Sequence, residues 1–252
     1  LLLHGFTGSA RSWFGCIDAW ARSHRVIAPD LLGHAGSDAP TDPAAYALET
    51  QARGLADLLE LLEARPAAVV GYSMGARLAL ALAIAHPEAV ARLVLESPSA
   101  GIADANDRSA RRAADEHLAA DIERDGVASF IDRWEALPLF ASHADLPADV
   151  RVAQRHERLR HSATGLAASL RGAGQGAMAP LHERLPEIAV PTLVVAGGLD
   201  GVGQGRARVV AERIPDAHLQ IIEAAGHTPH LERTDAFISI THDLLGPSTN
   251  AT

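Results

Sequence analysis

The chain has 252 residues, of which 48% are apolar and 21% charged, and one cysteine, Cys16. Such a chain buries a core of its own, which excludes a wholly disordered protein and a disulfide-built scaffold; a lone thiol suits a reducing compartment, so a cytoplasmic location is expected. A formal net charge of −9, from 22 basic and 31 acidic residues, argues against nucleic acid as a partner, and no apolar run approaches the roughly 18 residues of a membrane span.

Every basic residue is arginine. Lysine chemistry is therefore excluded, and a bound anion must be held by Arg, His or backbone N–H groups. Leu1-Leu2-Leu3 reads as a buried strand, and the missing initiator Met suggests a further N-terminal piece. A helix is expected over 13–22 and a short strand over 25–28. Residues 48–63 carry Leu55, Leu58, Leu59 and Leu62 at helical spacing. A strand over 67–70, a helix over 74–85 too apolar to be exposed, and a strand over 92–95 follow. This alternation implies parallel strands with helices on both faces.

From 99 to 184 the pattern is helical, with segments at 103–124, 127–137, 148–160 and 165–170. The alternation then returns: strand 191–196, helix 206–213, strand 218–222, helix 235–245, and a polar tail, 246–252, expected to fray. The economical reading is one α/β core, 1–98 and 185–252, interrupted by a helical cap over 99–184. An insertion after a strand's C-terminal end lies over the edge where open parallel sheets bind ligands.

Gly71-Tyr72-Ser73-Met74-Gly75 is G-x-S-x-G between a strand and a helix. A tight turn there exposes the serine hydroxyl above the sheet, and the helix N-terminus aims positive dipole at a developing anion. A serine nucleophile needs a base and a group that orients the base. Asp200, after the strand 191–196, and His227, after the strand 218–222, stand in the order and at the strand ends that such a triad needs. His230 competes with His227, which is preferred because it follows Gly226; His230 is left a supporting or structural part. The loop His4-Gly5-Phe6 offers the Phe6 N–H as one oxyanion donor, and the Met74 N–H is the other. No metal-binding or nucleotide-binding motif is present, so no metal and no cofactor are expected.

These motifs resemble the alpha/beta-hydrolase superfamily. More narrowly, Leu3-His4-Gly5-Phe6-Thr7-Gly8-Ser9, Gly71 through Arg77, Trp134 through Phe140, and Arg155 through Gly172 resemble the 2-succinyl-6-hydroxy-2,4-cyclohexadiene-1-carboxylate synthases of menaquinone biosynthesis. The resemblance implies a lyase whose triad acts as a base, releasing pyruvate from a small-molecule multi-carboxylate. It carries substrate-binding roles to Arg77, Arg111 and Arg158 and pocket positions to Tyr72 and Trp134. Two positions depart from the family pattern: Ala35 stands where glycine is usual, and Gly201-Val202-Gly203 replaces a Lys-Phe pair after Asp200. A serine hydrolase with the same triad, an esterase or a carbon–carbon bond hydrolase, is one rival reading, and a non-catalytic ligand-binding member of the superfamily is the other. Oligomeric state is not legible.

Overall fold

Five strands, β1 (Leu2–Leu3), β2 (Ala67–Tyr72), β3 (Val90–Glu96), β4 (Thr192–Gly197) and β5 (Ala217–Ile222), pair in parallel and in chain order in the computed structural model, which describes residues 1–246. The register sets Leu3 beside Gly71, Gly71 beside Leu95, Leu95 beside Val194, and Gly197 beside Ile222. The C-terminal ends therefore share one edge, and the loops leaving them meet above it.

Side chains alternate across the sheet. Leu93 and Leu95 pack on one face with α2 (Leu48–Leu61), α3 (Met74–Ala85) and α7 (Gly201–Arg213). Val94 and Val195 pack on the other with α1 (Phe14–Trp20) and α9 (Thr234–Leu245). Helix α3 is buried on every side; Leu80 and Leu82 are fully enclosed, and truncating either to alanine costs about 2–5 kcal/mol. No helix among the described residues is long and apolar enough to cross a membrane.

Between β3 and β4 lie α4 (Ala105–Glu135), a 3-10 segment (Pro138–Asp145), α5 (Ala148–Arg158) and α6 (Ala163–Ala173). Helix α4 is two helices joined at Gly126, whose φ of 81° and ψ of 166° break the helical path where the sequence reading separates them. These helices have an apolar cluster of their own, with Ile122, Phe130, Ile131 and Leu166 at its centre and Phe6 of the core packed against it.

The structure corrects two expectations. Residues 25–28 form no strand: the two-residue β1 is too short to build a ladder with them, and the segment runs extended with one bond, Leu2 N–H to Ile27 O at 2.8 Å. Helix α7 begins at Gly201 rather than at 206, because the Asp200 carboxylate caps it by accepting the Gly203 N–H at 2.8 Å. Of the tail expected to fray, all but Gly246 lies outside the described residues. Ala35 has φ 44°, the left-handed region where a side chain costs about 1 kcal/mol.

Three buried histidines tie the first loop to the helical insertion. His4 Nδ1–H donates to Gly5 O at 2.8 Å, and its Nε2 accepts the Leu31 N–H at 2.9 Å. His161 Nδ1 accepts the Ala35 N–H, and its Nε2–H donates to Thr7 O, both at 2.9 Å. His34 stands against both rings, at 5.2 and 5.3 Å. His4 and His161 each accept a backbone N–H and so need the neutral imidazole, and burial, the largest cause, lowers the pKa of all three; that of His4 falls from 6.5 to about 4. Between those pH values the unfolded chain takes up a proton that the native His4 refuses. Stability is therefore fully present above pH 6.5 and declines as pH falls toward 4, by about 3 kcal/mol for His4 alone. Urea unfolding at several pH values across that window should show the decline; a flat profile would rule it out.

Candidate active site

Ser73 joins β2 to α3 with φ 51° and ψ −103°, a strained turn that lifts its hydroxyl off the sheet edge. The turn is held by the Ser73 N–H, which donates to Glu96 O at 2.9 Å. Gly75 makes the close approach possible: a Cβ there would collide with the Leu3 carbonyl.

His227 sits in the loop after β5. Its Nε2 lies 3.2 Å from Ser73 Oγ, and its Nδ1 lies 2.6 Å from Asp200 Oδ2. A carboxylate only accepts, so Nδ1 carries the proton and Nε2 is free to accept from the Ser73 hydroxyl. Burial pushes the Asp200 carboxyl up, but the hydrogen bonds from His227 and Gly203, with the charges of His227 and Arg206, outweigh it and hold the group below the usual aspartate range. Asp200 is thus ionised at neutral pH. Gly203 is needed for this contact, since a Cβ would strike the Asp200 carboxylate. Of the two glycines that depart from the family pattern, Gly203 therefore serves the Asp200 contact, while a side chain at Gly201 would meet open space.

The Phe6 and Met74 residues border the same cavity as Ser73. The Met74 N–H opens α3 and has no partner within the helix, and the Phe6 N–H donates to no acceptor among the described residues.

The cavity over Ser73 measures about 180 Å³ and is roofed by Leu118, Trp134, Leu139, Phe140 and Leu170 of the helical insertion. Arg77 and Arg111 line it, as do Tyr72 and Trp134. Arg77 is 8% exposed; its Nη1 donates to the Ala173 carbonyl and lies 3.6 Å from Met178 Sδ. It has no carboxylate partner among the described residues, and burial lowers its pKa to about 10. Arg111 spends one edge on the buried Asp115, at 2.8 Å. Tyr72 O–H meets Thr228 Oγ1 at 3.1 Å, while the buried Trp134 Nε1–H finds no partner among the described residues.

The structure does not bring Arg158 into this cavity. Its guanidinium stacks over the Phe140 ring at 5.5 Å, pairs with Glu135 at 3.0 Å, and lines an adjoining hollow of about 1250 Å³. Phe6, Tyr72 and Phe140 border both spaces. His230 is not a rival base: its Nδ1–H donates to the fully buried Glu96 at 2.8 Å. Sequence reasoning missed Arg206, which lines the Ser73 cavity from α7 without an ion-pair partner among the described residues. Its signal was its place on the helix that Asp200 caps, hidden because that helix was expected to start at Arg206 itself.

Comparison with known proteins agrees with this architecture. The family model for the alpha/beta hydrolase fold matches residues 1–234. A Bacillus subtilis (strain 168) protein named putative 2-succinyl-6-hydroxy-2,4-cyclohexadiene-1-carboxylate synthase is 39% identical over 96% of this chain and 88% of its own. The structure of MenH from S. aureus superposes with a TM-score of 0.93 at 34% identity, over 97% of this chain and 91% of that one. An enol-lactonase from Burkholderia xenovorans LB400 superposes with a TM-score of 0.84 at 26% identity, over 97% and 89% of the two chains.

Proposed function

We propose that this chain, which belongs to the alpha/beta-hydrolase fold family, is a carbon–oxygen lyase that eliminates pyruvate from a cyclohexene multi-carboxylate and gives 2-succinyl-6-hydroxy-2,4-cyclohexadiene-1-carboxylate. The observation that carries the reading is the buried Arg77 guanidinium, which shares the Ser73 cavity and has no carboxylate partner among the described residues. The buried Asp115 carboxylate that acts on it is already bonded to Arg111, and Arg206 adds a further positive charge; buried cations in such excess are costly, and a carboxylate substrate supplies the missing charge. A small neutral ester would not. The names borne by the Bacillus subtilis relative and by the S. aureus structure support the same assignment.

In this reading His227 takes the Ser73 proton and Ser73 Oγ removes a proton from the substrate ring. The C–H electron pair moves through the ring, its double bond shifting as a second one forms, and the C–O bond to the enolpyruvyl group breaks. The departing oxygen keeps its pair and takes a proton back from the His227 imidazolium, and the enol becomes pyruvate. The Phe6 and Met74 N–H groups hold the oxygen on which charge accumulates, and Asp200 steadies the imidazolium. No cofactor enters these steps.

The Ser73 cavity, at about 180 Å³, is smaller than the roughly 300 Å³ at which ligand pockets begin. The substrate therefore extends past Phe6, Tyr72 and Phe140 into the adjoining hollow, one carboxylate on Arg77 and Arg111 and another on Arg158. Residues 99–184 act as its lid over a core of 1–98 and 185–252. The buried, unpaired Cys16 suits a cytoplasmic enzyme.

The triad geometry and the likeness to the enol-lactonase favour a second reading, a serine hydrolase. Mass spectrometry of the intact protein separates the two. A hydrolase mixed with an activated ester accumulates an acyl adduct on Ser73 with a product burst. The lyase releases pyruvate from its substrate with no covalent species at any time.

A further inference from the structure

The loop that carries His227 belongs to no strand or helix, yet the imidazole must meet two partners at once. Its backbone is held from outside. The Glu232 carboxylate, on the single turn α8 (Pro229–Glu232), accepts the Gly226 N–H on Oε2 at 2.6 Å and the Thr228 N–H on Oε1 at 2.9 Å. Those are the two residues that flank His227. The His227 carbonyl in turn accepts from Ser97 Oγ–H, at 2.8 Å, at the end of β3. Three backbone groups around the base are thus fixed by two side chains that hydrogen-bond to neither Ser73 nor Asp200 among the described residues.

The Glu232 side chain is 4% exposed and has no arginine partner among the described residues. Its remaining neighbour is His143 of the 3-10 segment, whose Nε2 lies 3.6 Å from Oε1 and 3.1 Å from Thr228 Oγ1. Burying a carboxylate is expensive unless its lone pairs are used. Here they are used on the two peptide groups that set where His227 stands.

We propose that Glu232 is a positioning residue for the base of this site: it clamps the peptides on either side of His227 and so fixes the imidazole between Ser73 and Asp200, with Ser97 as the third point of support. The inference rests on His227 being the base of the reading above, and not on which substrate that base serves.

The test uses the full chain and two variants. Glu232→Gln keeps the shape but offers one carbonyl to two N–H donors, turning its own NH₂ against the other. A displacement of the ring by about 1 Å lowers rate by about 100-fold, so kcat for pyruvate release falls to that extent while KM stays at the wild-type value. Labelling of Ser73 by a fluorophosphonate probe slows in parallel. Ser97→Ala removes the third support without touching the carboxylate, and shows a smaller loss of kcat, again with KM unchanged; it decides the matter if Glu232→Gln does not fold. A purely structural role would lower the unfolding temperature while the folded fraction turned over normally. Wild-type kcat and labelling in folded variants, or a loss confined to KM, would overturn the proposal. A wild-type protein that labels but releases no pyruvate would sink the lyase reading while the labelling rates still judge Glu232. Wild-type protein that does neither would remove His227 as base, and the proposal with it.

Discussion

Ser73→Ala leaves a folded protein whose turnover has dropped by about 10⁴-fold or more. In the proposed reaction the hydroxyl is the atom that His227 activates, across 3.2 Å, and it has no other hydrogen-bond partner among the described residues. His227→Ala should lose as much, and Asp200→Ala somewhat less, since Asp200 holds the ring by Nδ1 at 2.6 Å without touching substrate. The three act as one unit, so the double variant Ser73→Ala/His227→Ala is scarcely worse than either single one. The fold survives because alanine keeps the Cβ and the φ of 51°. Single-turnover rates beside thermal unfolding curves are the measurement. A Ser73→Ala protein with near-wild-type turnover would remove the triad from the reaction.

Arg77→Met separates binding from stability in opposite directions. Arg77 lies 8% exposed, one helical turn beyond Ser73, bonded to a carbonyl and a thioether and to no carboxylate among the described residues. Its charge is a burden on the empty protein, which is what the lowering of its pKa to about 10 by burial expresses. An apolar side chain of similar length removes that burden, and such replacements of buried charge are neutral or stabilising. The unfolding temperature should hold or rise. The same change deletes a charged hydrogen bond to the substrate carboxylate, worth about 1.5–3 kcal/mol, or about 10- to 150-fold in kcat/KM. Hydrolysis of a small neutral ester, if the protein performs it, should be untouched. Loss of stability together with unchanged kcat/KM would mean that Arg77 is a packing residue.

What the sequence disclosed depended on how local the signal was. The strand–Ser73–helix turn was legible because glycine spacing and an apolar helix both lie within fifteen residues, and the turn forms there for reasons that act at that range. Asp200 and His227 were legible only as loop residues at strand ends, and parallel pairing does bring those ends to one edge. The strand expected over 25–28 failed because β-pairing is not local: it needs a neighbour, and β1 is two residues long. Arg158 carried the right charge for the site, but its final place depends on Phe140 and Glu135, which only the packing of α5 determines. Arg206 was hidden by a helix start misplaced by five residues, because Asp200 reads as a catalytic acid before it reads as a cap. The buried histidines gave no sequence signal because they act on backbone groups of distant segments, and the Glu232 clamp gave none because its nearby partners are peptide N–H groups, which no residue type marks.

The most direct measurement supplies the purified protein with the enolpyruvyl cyclohexene carboxylate and follows pyruvate by a coupled lactate dehydrogenase reaction, with Ser73→Ala alongside. The account predicts one pyruvate released for each cyclohexadiene formed, in the wild-type protein alone. Absence of pyruvate from a folded wild-type protein that hydrolyses neutral esters with an acyl burst would contradict it.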